Sequence, residues 1–210
     1  MRLGAAGAVL ACLCAAVIGL VMRSVPEEVT FQPSTARATP AGCVRAATEH
    51  PAACLVFFAA DSVLLIAYTM VFVGLHACSV QRRPRLARLG LATGILMAGA
   101  DALENGIYSR YALAALGGAT LAGPNGAWLC FITGTKEVAA GASFLLFALA
   151  LRPWERVGHL VPRLLLLAPL VGLLSLALPS LIRARGWAII APMPFIAVWL
   201  WRRSAGLPGG

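Results

Sequence analysis

The sequence predicts an all-α integral membrane protein, a single domain over residues 1–210 folded as a bundle of about six transmembrane helices. Three observations carry that expectation. The chain is 60% hydrophobic and only 12% charged, with a mean hydropathy of +0.84, whereas an average soluble domain carries roughly 25% charged residues. Its apolar residues fall into separate runs, several of them long enough to cross about 30 Å of hydrocarbon. The arginines stand at the ends of these runs, the arrangement that membrane insertion and anionic headgroups favour. The net charge of +9 is therefore assigned to the bilayer. Nucleic acid is excluded as a partner, because no basic module interleaved with aromatics is visible.

The first helix is expected at 3–22, after Arg2. At about 20 residues it exceeds the apolar region of a cleaved signal, typically about 7 to 15 residues, and is read as a retained span. Cys12 and Cys14 lie inside it as packing residues. Residues 23–53 form the one long polar stretch, with Pro26, Pro33, Pro40 and Pro51, and are expected as an extracytoplasmic loop. Cys43 and Cys54 are candidates for a disulfide on that oxidising face.

The second span, 54–79, runs into Arg82, Arg83, Arg85 and Arg88. This is the strongest cytoplasmic signal in the chain, and it puts the N-terminus inside and the 23–53 loop outside. The third span is expected at 89–108, with Ser109 and Arg110 as an exit, although the apolar run from Ala112 leaves a longer helix open. The fourth occupies 127–151 and leads into a second basic loop from Arg152 to Arg163. Spans five and six are expected at 164–182 and 187–201, and Arg202 with Arg203 returns the C-terminus to the cytoplasm. Arg183 and Arg185 fall on the wrong side of this topology and Pro192 and Pro194 interrupt the last run, so a re-entrant hairpin stays open as the alternative.

Ionisable residues inside apolar segments mark the candidate site. Asp101, Glu104, Asn105 and Tyr108 are spaced i, i+3, i+4, i+7 and share one helical face. Asp61 and Tyr68 share a face of the second span. Thr133 and Lys136 share one of the fourth, with Glu137 turned about 100° away. Lys136 is the only lysine in a chain that otherwise uses arginine. Measured at about 1.5 Å per residue, Asp61, Asp101, Glu104 and Lys136 all fall about 6 to 14 Å from the outer helix ends.

Each ionised group at a helix centre costs roughly 2.5–3.5 kcal/mol on insertion. The groups are therefore expected to converge, and with several carboxylates against one ammonium they require protons or a bound cation. Asp61, Tyr68, Asp101, Glu104, Asn105, Thr133, Lys136 and Glu137 form the candidate binding set.

No phosphate loop, zinc-type cysteine pair, haem histidine pair or nucleophile elbow is present, so no cofactor is named. His50, His76 and His159 are scattered and no metal site is expected. The leading reading is a small transport or binding protein for a cation, a proton or a polar lipid headgroup. An enzyme acting on a lipid or isoprenoid, through paired carboxylates or a desolvated Lys136, is the second. A scaffold pinned by the polar seam is the third. The abundance of Ala, Gly, Leu and Arg fits a bacterial inner-membrane protein.

Overall fold

Four long helices organise the chain, and the described residues contain helices and turns without a strand. The structure is a computed structural model and describes residues 1–26, 29–31, 39–123, 125–151, 156–178 and 187–206. Helices α1 (Arg2–Arg23), α3 (Pro51–Ser79), α4 (Pro84–Leu116) and α5 (Gly126–Ala150) are each long and apolar enough to cross a membrane. Between α1 and α3 lies α2 (Pro40–Glu49). Among the described residues, α5 is followed by α6 (Arg156–Leu165), α7 (Leu167–Ala177), a helical turn at 187–190 and α8 (Met193–Ser204).

Three of these elements correct the sequence expectation. Helix α2 arises inside the expected loop because Thr39 caps it, its Oγ1 accepting from Gly42 N at 3.1 Å. Pro40 at the first helical position supplies a preset φ and has no N–H to leave unsatisfied. Helix α4 does not exit at Ser109–Arg110. Arg110 is exposed while Tyr111 and Ala112 are buried, and the Tyr111 hydroxyl donates to Ala122 O at 2.7 Å, so the helix continues to Leu116. The expected fifth span, 164–182, is not one helix. Helix begins at Arg156 and is interrupted at Leu166, where Pro169 cannot donate to the carbonyl of Leu165 and its ring crowds that oxygen. Arg152, Arg183 and Arg185 lie outside the described residues.

The helices pack in a circuit. α1 lies on α3, α3 on α4 and α4 on α5, while α5 meets α6 and α7, α6 touches α8, and α8 returns to α1. The α1–α3 contact is backbone on backbone. A Cβ on Gly7 would stand 2.6 Å from Ala67 O, and one on Gly4 2.8 Å from Gly74 Cα. With Ala8 and Ala11 fully buried beside them, Gly4 and Gly7 give two small-xxx-small steps that permit this approach. On α4, a Cβ at Gly94 would meet the Phe72 ring at 2.5 Å.

Large apolar side chains also face outward along the long helices, among them Leu13, Leu20, Ile66, Ile95, Leu103 and Val138. Gly4, Gly74 and Leu200 meet at one end of the bundle, so the start of α1 and the end of α8 share it with the α3–α4 turn. Arg83 at that turn donates to Leu149 O at 2.8 Å and satisfies a terminal carbonyl of α5. Arg2, Arg82, Arg83, Arg85, Arg88, Arg202 and Arg203 therefore gather at this basic end. α2 covers the opposite end, against α4, α3 and α5.

Candidate functional site

Helices α4 and α5 run antiparallel, which sets Asp101 and Glu104 against Lys136 and Thr133. The Lys136 ammonium donates to Asp101 Oδ1 at 3.0 Å and to Glu104 Oε2. Thr133 Oγ1 donates to the other oxygen of Glu104 at 2.5 Å. Glu104 is thus served on both oxygens, which suits a carboxylate with no exposed surface at all. Asp101 is 7% exposed, and the Lys136 side chain 13%.

Asp61 comes to the same level from α3. It is 6% exposed, lies within electrostatic reach of Asp101, Glu104 and Lys136, and has the Asn105 amide in hydrogen-bonding position. The Asn105 Nδ2 also approaches Ser62 Oγ at 3.5 Å. Ser62 had no sequence signal, since it stands about 100° around the helix from Asp61. Tyr68 is buried two turns further along α3, close enough to be influenced by both aspartates. Glu137 is half-buried, off the face that carries Lys136. The structure therefore joins Asp61, Asp101, Glu104, Asn105, Thr133 and Lys136, with Tyr68 at one edge.

Two apolar layers enclose this group. On the α2 side, Phe57, Phe58, Tyr108, Leu129, Cys43 and Cys54 form one cluster, with Phe58 and Tyr108 stacked at 5.7 Å between centroids. On the basic side, Leu64, Met97, Phe72, Phe144 and Phe147 belong to a second cluster, in which Phe72 stacks on Phe147 at 5.9 Å and meets Phe144 edge-on at 5.7 Å. Helices α3, α4 and α5 obey the same order along their axes: Phe58, Asp61, Leu64; Tyr108, Glu104, Met97; Leu129, Thr133, Ala140. Apolar clusters therefore flank the polar layer on both sides, while the Lys136 and Asp101 side chains keep a little exposed surface.

The layer also lies deeper than the sequence boundaries implied. Asp61 is about 15 Å from the start of α3, Glu104 about 18 Å from the end of α4 and Lys136 about 15 Å from the start of α5. The extension of α4 to Leu116 accounts for most of the difference.

The expected Cys43–Cys54 disulfide is not formed. Both are free thiols without exposed surface, packed in the aromatic layer as small apolar groups. Burial pushes the Cys43 thiol up to about 12, with a further upward contribution from the negative charge of Glu104. Comparison of the chain with protein-family models, with curated proteins and with solved structures finds no match.

Proposed function

We propose that this chain is a multi-pass protein of the bacterial inner membrane that takes up and releases a proton at the Asp61–Asp101–Glu104–Lys136 cluster, as the coupling element of a small transport or binding protein. One observation carries the reading: three buried carboxylates face a single ammonium between two apolar layers. If all were ionised the cluster would hold an excess of two negative charges. At a cost of roughly 2.5–3.5 kcal/mol for each ion at a helix centre, that excess is better met by protons. A pin between helices needs one acid and one base; the surplus acids are what a proton-exchanging site needs.

In this reading α1, α3, α4 and α5 cross the membrane. The α6–α7 pair supplies a fifth crossing, and the segment from 187 to 204 supplies a sixth. At 1.5 Å per residue these last two reach about 33 and 27 Å. Both termini then lie in the cytoplasm with the basic end, as the positive-inside rule favours. The outward apolar residues meet lipid.

The test is infrared difference spectroscopy on the full chain in lipid vesicles during an acid–base titration. A carboxyl C=O band that grows on acidification and is lost or reduced in Asp61→Asn supports the reading. If no such band appears, and the double variant Asp61→Asn/Lys136→Met folds as well as the native chain, the cluster is a structural pin.

A further inference from the structure

Two buried polar atoms on the α2 side of the cluster have no well-formed hydrogen bond: Asn105 Oδ1 and the Tyr108 hydroxyl, the latter with only the weakly bonding Cys43 thiol in hydrogen-bonding position. Both residues are more than nine-tenths buried, at 3% and 0% exposure. They stand three positions apart on one face of α4, about 4.5 Å along its axis. Asn105 adjoins Asp61, and Tyr108 adjoins the Cys43 thiol of α2. Unmet buried acceptors and donors are costly and rare, and a pair of them in line is the setting in which ordered water is held.

We propose that Asn105 and Tyr108 form the route by which the carboxylate cluster exchanges its proton with the α2 side of the membrane. This rests on the proton-binding reading above. A water held between the two residues donates one proton to Asn105 Oδ1 and accepts the Tyr108 O–H. On acidification the tyrosine oxygen receives a proton from the α2 side and passes its own to that water, which delivers one to Asp61. Tyrosine and water are both neutral before and after. Asn105 is a positioning residue, since it orients the water without itself changing protonation.

Towards the basic end the groups facing Asp61 are Asp101, Glu104 and Lys136, then Tyr68 with Cys12 and Cys14 of α1 around it. Beyond Tyr68 the fully buried rings of Phe72, Phe144 and Phe147 and the side chain of Leu75 close the bundle. Exchange is therefore one-sided. The Phe58–Tyr108 stack places the relay hydroxyl in the layer that α2 covers, so movement of α2 off that layer opens the route.

The experiment follows the carboxyl band in time after an acid jump applied to one face of oriented vesicles containing the full chain. The native protein responds to acid on the α2 face faster than to acid on the basic face. Tyr108→Phe, which keeps the stacked ring, slows the α2-side response by at least about tenfold. Asn105→Leu, which removes the amide, does the same and guards against a folding defect peculiar to either variant. A purely structural role would alter stability without altering sidedness. Unchanged rates in both variants, or a faster response from the basic face, would overturn the route while leaving the proton site standing. Absence of any band would overturn both.

Discussion

The Nζ of Lys136 sits 3.0 Å from Oδ1 of Asp101 across the α4–α5 interface, 35 positions apart in sequence. The same ammonium reaches Glu104 one turn along α4. A single cation thus bridges carboxylates on successive turns of one helix, and Thr133 adds a donor that no charge balance would require. Glu104, the least exposed of the acids, depends most on α5. Asp61 depends on it least, since Asn105 and Ser62 belong to the α3–α4 side.

That division makes Lys136→Met informative. Removing one member of a buried ion pair costs about 3–5 kcal/mol when the other stays charged. Here the carboxyls can take protons instead, so the loss is expected near the bottom of that range, and the protein still folds. Lys136→Met/Glu104→Gln should recover more than half of the loss. Thermal unfolding of the two variants in detergent checks this. Equal destabilisation of the single and double variants would mean that Glu104 is not the carboxylate left exposed by the missing ammonium.

The α1–α3 contact sets a sharper steric expectation. Gly7→Val would drive a branched side chain into Ala67 O and the Met70 Cβ, and overpacking of this kind costs about 1–3 kcal/mol. Gly19→Ala on the same helix meets nothing within 4 Å, and improves helix propensity slightly. Retained stability in Gly7→Val, measured beside Gly19→Ala, would show that α1 is not held on α3 by close backbone approach.

Cys43 supplies a pH dependence. Its thiol is held up to about 12 against an ordinary value of 9.0, so above pH 9 the unfolded chain loses this proton first. The Cys43 contribution to stability is complete below pH 9 and is lost as pH rises towards 12. Cys43→Ala should flatten that part of the stability curve. In the folded protein at neutral pH Cys43 should resist alkylation, because the thiolate is the nucleophile. Rapid labelling of Cys43 without denaturant would place it outside the aromatic layer.

The four long helices were legible because apolar length alone specifies them; the expected 3–22, 54–79 and 127–151 differ from the structure by three residues at the start of α3 and by at most one at the other ends. The polar face of α4 was legible too, since helical spacing fixes Asp101, Glu104, Asn105 and Tyr108 on one side. What escaped the sequence depended on tertiary contact. Arg110 resembles a helix exit until Tyr111 and Ala112 are seen packed beneath α2. Helix α2 carried a local signal in Thr39–Pro40, a cap followed by proline at the first helical position, but the surrounding prolines and polar residues suggested a loop. The expectation of a cysteine bridge rested on reading 23–53 as an extracytoplasmic loop, whereas in the structure both thiols pack as small apolar groups in the aromatic layer.

The distribution of arginine leads to the last expectation, which concerns orientation. Arg2, Arg82, Arg83, Arg85, Arg88, Arg202 and Arg203 stand at the end where Gly4, Gly74 and Leu200 meet. Among the described residues, Arg23, Arg45 and Arg110 are assigned to the α2 end, and Arg45 is paired with Glu49 at 3.9 Å. Positive residues close to helix ends hold a segment on the cytoplasmic side during insertion, so the basic end should stay inside. The exposed turn at Gly117–Gly118, where Gly118 adopts φ +70, accepts an inserted epitope without disturbing a packed surface. An epitope there should be reached by antibody from outside intact spheroplasts, while epitopes in the turn before Pro84 and after Ser204 should be reached only once the membrane is opened. Detection of the 117–118 and 84 epitopes from the same side would mean that α4 does not cross the bilayer, and the carboxylate cluster would then need a different solvent from the one argued above.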